Sequence, residues 1–177
     1  ITLGSGFELT KDEVASIIKD DPSCKDVLFQ YLNGKELNSS PIQEPGRWVI
    51  YFYDWEEKNA NIYHKPFKIL FEKVKPERDL NKRKERREKW WQFAEKTPGL
   101  YHAIGRGNEF QKHPEGWLAG SPCPQQVMVS TRVSKHLIFS FVPNDYIYSN
   151  AINVFAVSQY SDFTVLQSSI HAVFVWK

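Results

Sequence analysis

Cysteine and long apolar runs are what this chain has least of. Two cysteines in 177 residues, Cys24 and Cys123, exclude a disulfide framework and make a reducing, cytoplasmic setting the expectation. No apolar run reaches the length of a membrane span, and no basic region followed by an apolar one opens the chain as a secretory signal would. No membrane partner is expected. The five histidines, His64, His102, His113, His136 and His171, are scattered, and neither cysteine has a C-x-x-C partner. Clustered ligands at metal-site spacing are therefore missing. Gly4-Ser5-Gly6 lacks the remaining glycine of a phosphate loop, and there is no G-x-S-x-G elbow. Acid pairs such as Asp12/Glu13 and Glu56/Glu57 sit at expected helix starts, where capping and the helix dipole account for them. The sequence thus assigns no catalytic residue and no cofactor to the chain itself.

What is present is aromatic and charged. A hydrophobic content of 41% with 15% aromatic residues describes a globular protein with an aromatic-rich core rather than a disordered one. The length fits one domain over residues 1–177. The first residue is Ile1 and the end is the apolar run IHAVFVWK, which suggests a piece of something longer.

Positive charge is concentrated in residues 73–96, KVKPERDLNKRKERREKWWQFAEK. That stretch holds ten of the 23 Lys and Arg and five of the 21 Asp and Glu, a net of +5 in a chain whose total is +2. A basic cluster ending in aromatics is the electrostatic footprint of a polyanion binder. Pro76 suits a first helical turn. Residues 77–96 contain neither Gly nor Pro, and most are good helix formers. The spacing predicts one helix of about 30 Å, stopped by Thr97-Pro98-Gly99. Its Trp90, Trp91 and Phe93 end would be anchored in the core while its basic half projects over a surface. A solvated helix carrying i,i+4 pairs such as Glu85–Lys89 remains the plain alternative.

Elsewhere, Thr10-x-x-Glu13 reads as a capping box before a short helix to about Lys19. Residues 27–32 read as a strand and Asn33-Gly34 as a turn. RWVIYFYDW, residues 47–55, is the clearest strand, apolar on both faces and so central in a sheet. Residues 56–63 and 66–74 read as helical, and 100–104 as one further turn. Residues 105–126 are rich in Gly and Pro and lack periodicity, which predicts a long functional or mobile loop. Strands are expected at 127–133 and 137–142 with a tight link at Ser134-Lys135-His136, then at 146–148 and 153–157. A helix capped by Ser161-Asp162 follows. The fold class expected is α+β: a mixed, mostly antiparallel sheet with packed helices and one long basic helix.

Several stretches together resemble one family. They are GSGFELT (4–10), YLNGKELNSSP (31–41), RWVIYFYDW (47–55), KVKPERDLNKRKERREKWWQFAE (73–95), STRVSKHLIFSFVP (130–143) and LQSSIHAVFVW (166–176). In this order they are similar to the target-recognition region of large bacterial DNA adenine methyltransferases. These are the single-chain type IIG/IIL (MmeI-like) restriction–modification enzymes and the related PglX methyltransferases of phage defence. The resemblance implies a specificity domain for double-stranded DNA. Its parent would use S-adenosylmethionine to methylate adenine N6, through an Asn-Pro-Pro-Tyr motif that this chain lacks. A PD-(D/E)-x-K nuclease motif is also missing.

Phosphate contacts position a protein on DNA and base contacts specify sequence. Positioning is assigned to Lys75, Arg78, Lys82, Arg83, Arg86 and Arg87. Base reading is assigned regionally to the 131–138 turn, through Arg132, Ser134, Lys135 and His136. Two other readings stay open. One is a protein-interaction module docking on the parent methyltransferase domain or on an acidic partner. The other is a hydrolase using His113 and Glu115 in the long loop.

Overall fold

A computed structural model describes residues 6–112 and 123–175. It is α+β, with two sheets and helices packed around them. The first strand, β1 (Glu8–Leu9), leads into α1 (Lys11–Asp20). Thr10 Oγ1 accepts the Glu13 N–H at 3.2 Å and Glu13 Oε2 accepts the Thr10 N–H at 2.7 Å, so the capping box is formed. Val14 and Ile17 supply the buried stripe of α1. Asp21 then caps a 3-10 turn over Pro22–Val27, accepting the Ser23 N–H at 3.0 Å.

Next come β2 (Leu28–Leu32), α2 (Gly34–Ser39) and β3 (Arg47–Ile50). As expected, β3 is central, antiparallel to both β1 and β2. It is shorter than the sequence suggested. Leu28 opposite Ile50 is the last pair of that ladder, and the Trp55 N–H closes a turn onto the Phe52 carbonyl at 3.0 Å. Tyr53 takes a left-handed φ of 49°. Residues 49–53 are all buried, and a run buried on every side looks the same in sequence whether it is strand or turn. Tyr51 stacks on Phe93 at 4.5 Å between ring centres, and Phe93 meets Phe7 edge-on at 5.0 Å. This aromatic group is the centre of the core.

The chain continues with α3 (Glu57–Ala60), α4 (His64–Lys73), α5 (Lys75–Asp79), α6 (Lys84–Glu88) and α7 (Pro98–Ala103). The single long basic helix is not there. Helix α4 runs into α5 with a break at Val74, where Pro76 removes a backbone donor. The chain then leaves helix at Leu80–Arg83 and again at Lys89. The last of these breaks follows from the WWQF run. Trp90, Trp91, Gln92 and Phe93 are all buried, whereas four consecutive helical residues sweep most of a turn and cannot share one face. Burying all four needs a turn, and helix propensity yields to that burial.

The second sheet has the order β5-β4-β7, from β4 (Gln126–Thr131), β5 (Ser140–Pro143) and, after β6 (Ile147–Tyr148), β7 (Ile152–Phe155). All its pairings are antiparallel. β6 joins the first sheet, parallel to β2. The only parallel pair among the described strands thus ties the two halves together. Helices α8 (Tyr160–Leu166) and α9 (Ser169–Val175) follow. The expected Ser161-Asp162 cap is instead Gln159, which makes no side-chain cap bond. No described helix is long and apolar enough to cross a membrane.

Candidate nucleic-acid interface

Residues assigned to phosphate positioning separate into distinct roles. Lys75 is held by Asp79 at 2.7 Å and lies over the Phe71 ring. Arg78 is not on the surface. It is 5% exposed, with its guanidinium over Phe7 at 5.7 Å. Its pKa is lowered, chiefly by burial and further by the nearby Arg86. Arg87 is a brace: its Nη1 donates to the carbonyls of Asn81 at 2.6 Å and Lys82 at 3.2 Å. Those carbonyls lie in the turn between α5 and α6, so Arg87 holds the helix break in shape. Lys82 and Arg83 are exposed. The Arg83 backbone N–H is held by Asn81 Oδ1 at 3.0 Å, while the residue as a whole stays exposed. Lys84–Glu88 and Lys89–Glu85 pair at 3.5 and 3.9 Å on the solvent side, where such pairs add little stability.

The stretch assigned to base reading is longer than the expected tight link. Pairing of β4 with β5 stops at Val129–Ser140, while β4 goes on pairing with β7 to Thr131–Ile152. One strand therefore keeps its partner as the other peels away. Residues 132–136 are exposed. Their footing is fixed. The Arg132 N–H donates to the Ala151 carbonyl at 2.8 Å, the Phe139 N–H to Gln167 Oε1 at 2.9 Å, and Gln43 Nε2 to Ser140 Oγ at 2.8 Å. At the tip, Ser134 Oγ accepts the His136 N–H at 3.2 Å. Ser134 thus shapes the turn while Arg132, Lys135 and His136 present their side chains to solvent. A rigid base carrying free polar tips suits recognition of a surface.

Beside the turn is an open polar groove of about 750 Å³ that Arg132 shares with Asn33, Lys35, Asn38, Arg47 and Asn150. Sequence reasoning did not bring these together. Asn33-Gly34 is not a tight turn. Asn33 Oδ1 accepts the N–H groups of Lys35 at 2.8 Å and Glu36 at 3.4 Å and so caps α2. The signal was available, because Asn33-x-x-Glu36 has the spacing of a helix start. Arg47 is tied to Glu8 at 2.6 Å and Glu36 at 3.7 Å. It therefore stiffens the groove wall, and Lys35 and Arg132 are the exposed cations of its rim.

Arg78, Arg83 and Arg86 line a second, smaller cavity that shares no residue with the polar groove. His113 and Glu115, of the hydrolase reading, lie outside the described residues. No group of three or more His, Cys, Asp or Glu that could hold a metal occurs among the described residues. Cys24 is buried, and burial pushes its thiol up to about 11. His171 is half-buried with Nδ1 2.6 Å from the Leu166 carbonyl, a local structural contact. Trp90 and Trp91 belong to the core, as expected from their apolar neighbours.

No family model matches this chain, and no curated protein does either. One solved structure that it matches is the type IIL restriction–modification enzyme MmeI in complex with DNA, at 16% identity and a TM-score of 0.59. The match covers 94% of this chain and 19% of that one. The chain therefore spans about a fifth of the length of MmeI, and what the two share is a fold that extends over almost all of this chain.

Proposed function

We propose that this chain is a DNA target-recognition unit of a bacterial restriction–modification methyltransferase. It would choose the duplex sequence while a separate part of the parent, using S-adenosylmethionine, methylates adenine N6. One observation carries the reading: nearly the whole chain has the fold of one section of a restriction–modification enzyme that was solved with DNA bound. The exposed turn at 132–136 and the groove beside it support this, because Arg and Lys side chains on a braced turn can meet guanine O6 and N7 in a major groove. Lys82 and Arg83 would neutralise phosphates alongside. The bacterial cytoplasm would be its compartment. The test is duplex binding against a randomised DNA library. Wild type should enrich a defined sequence, and Arg132→Ala with Lys135→Ala should relax that preference at one or two positions. Unchanged enrichment in the double variant would remove the turn from base reading.

A second reading is a docking module for the parent's methyltransferase part. It is favoured by the exposed apolar residues of α8 and α9, among them Ile170 at 82% and Phe174 at 80% exposed. Exposed apolar clusters mark interaction surfaces. Ile170→Asp with Phe174→Asp should abolish binding to the parent's methyltransferase part and leave duplex binding unchanged. Retained binding to that part would remove the docking face.

A further inference from the structure

An arginine enclosed without a carboxylate is costly, because an unpaired buried charge loses its hydration and gains nothing in return. Arg78 is in that position. Its Nη2 is buried and has no hydrogen-bond partner. It lines a cavity of about 70 Å³ together with Arg83, Arg86, Lys89 and Lys96. That is several times the roughly 10–15 Å³ one water needs. One carboxylate shares the lining, Glu85, which is ion-paired with Lys89 at 3.9 Å and so offsets one of the five cations. Glu77, a neighbour of Arg78 on α5, opposes part of the charge. Positive charge still dominates. Burial lowers the pKa of both Arg78 and Lys96; Arg86 adds to the effect at Arg78, while at Lys96 the Glu85 carboxylate opposes it and Lys89 adds to it.

The break in the basic segment is what assembles this cluster. In one straight helix Arg78 and Lys96 would stand about 27 Å apart. Here α5 delivers Arg78, the following turn Arg83, α6 Arg86, the residue just past its end Lys89, and the return past Phe93 brings Lys96 round to the same cavity. Gln92 contributes an acceptor: its Nε2 is committed to the Trp55 carbonyl at 2.8 Å, while its buried Oε1 has no partner. That oxygen could take the proton of a hydroxyl-bearing oxyanion or of a bridging water.

We propose that this cavity binds a single phosphate-type oxyanion, with the Arg78 guanidinium at its floor. Converging arginine donors match a tetrahedral oxyanion in shape as well as charge. The anion can be free phosphate or one backbone phosphate of a nucleic acid. Only the second source rests on the function proposed above.

The test is thermal unfolding in inorganic phosphate against chloride at equal ionic strength and pH. Phosphate at tenfold its dissociation constant should raise the midpoint by about 3–5 °C. Arg86→Gln and Lys96→Gln, at the cavity edge, should each lose most of that shift and still fold. No shift in wild type, or a shift that both variants retain, overturns the site. A duplex-binding arm separates the two sources. Competition by phosphate together with about tenfold weaker duplex binding in Arg86→Gln identifies a backbone phosphate. Duplex binding indifferent to both supports a site for free phosphate. A retained phosphate shift in a protein that binds no duplex upholds the site and sinks the DNA reading alone.

Discussion

Arg83 and Arg87 sit four residues apart in different surroundings, Arg83 exposed and Arg87 bonded to two carbonyls. Replacing each by Ala separates them. Arg87 donates to two carbonyls of the α5–α6 turn at 2.6 and 3.2 Å. Charged hydrogen bonds contribute about 1.5–3 kcal/mol when buried. This guanidinium is only partly enclosed, so Arg87→Ala should cost about 1–2 kcal/mol, a fall of about 3–6 °C in midpoint for a chain of this size. Arg83 makes no such contact, and Arg83→Ala should leave stability within about 0.5 kcal/mol. On duplex DNA the expectation reverses. Loss of one phosphate contact should reduce the slope of log K against log salt by about 0.9, which is about 3.5-fold in affinity between 50 and 200 mM salt. Thermal unfolding and fluorescence anisotropy over a salt series read the two effects independently. A stable Arg87→Ala beside a destabilised Arg83→Ala would refute the brace. An unchanged salt slope in Arg83→Ala would refute its contact with phosphate.

Gly6 has a φ of +89°, and an added Cβ would lie 2.9 Å from Val74 Cγ2 and 3.0 Å from the Lys73 carbonyl. Gly6→Ala should cost about 2–4 kcal/mol from left-handed strain plus overpacking, read as a lower urea midpoint. The Glu13 pKa is held below its ordinary value of 4.5, first by the Thr10 backbone N–H. Its contribution to stability is therefore full above the unfolded value and is lost as pH falls through the lowered folded value. Glu13→Gln should be less stable than wild type at pH 7 and equal to it in acid, as denaturant titrations at both pH values would show. Cys24 is buried with its thiol pushed up to about 11, while Cys123 is exposed. A thiol reagent should label one cysteine per native chain quickly and the second only on unfolding.

Legibility of the fold in the sequence followed how local each determinant was. The capping box of α1 needs only Thr10 and Glu13 and formed as read. The central place of β3 followed from its aromatic, β-branched residues. The basic segment misled because most residues of 77–96 favour helix, while the burial of four consecutive residues, Trp90–Phe93, forbids its continuing to the end. Arg78 is turned inward over Phe7, so the count of cations was readable and their orientation was not. At the turn, the exposure of Arg132, Lys135 and His136 depended on β7 holding β4 beyond the end of β5, which no local signal carries.

Composition and local chemistry, then, settled the class of the protein: an aromatic-cored α+β chain with its positive charge gathered in one segment. They could do so because propensity, capping and charge act over a few residues. Tertiary packing alone decided that the segment turns at Trp90–Phe93, that Arg87 braces the α5–α6 turn, and that Arg78, Arg83, Arg86, Lys89 and Lys96 line one cavity. Those outcomes depend on which side chains the core takes in, and the indoles of Trp90 and Trp91 prevailed over the helix that carries them.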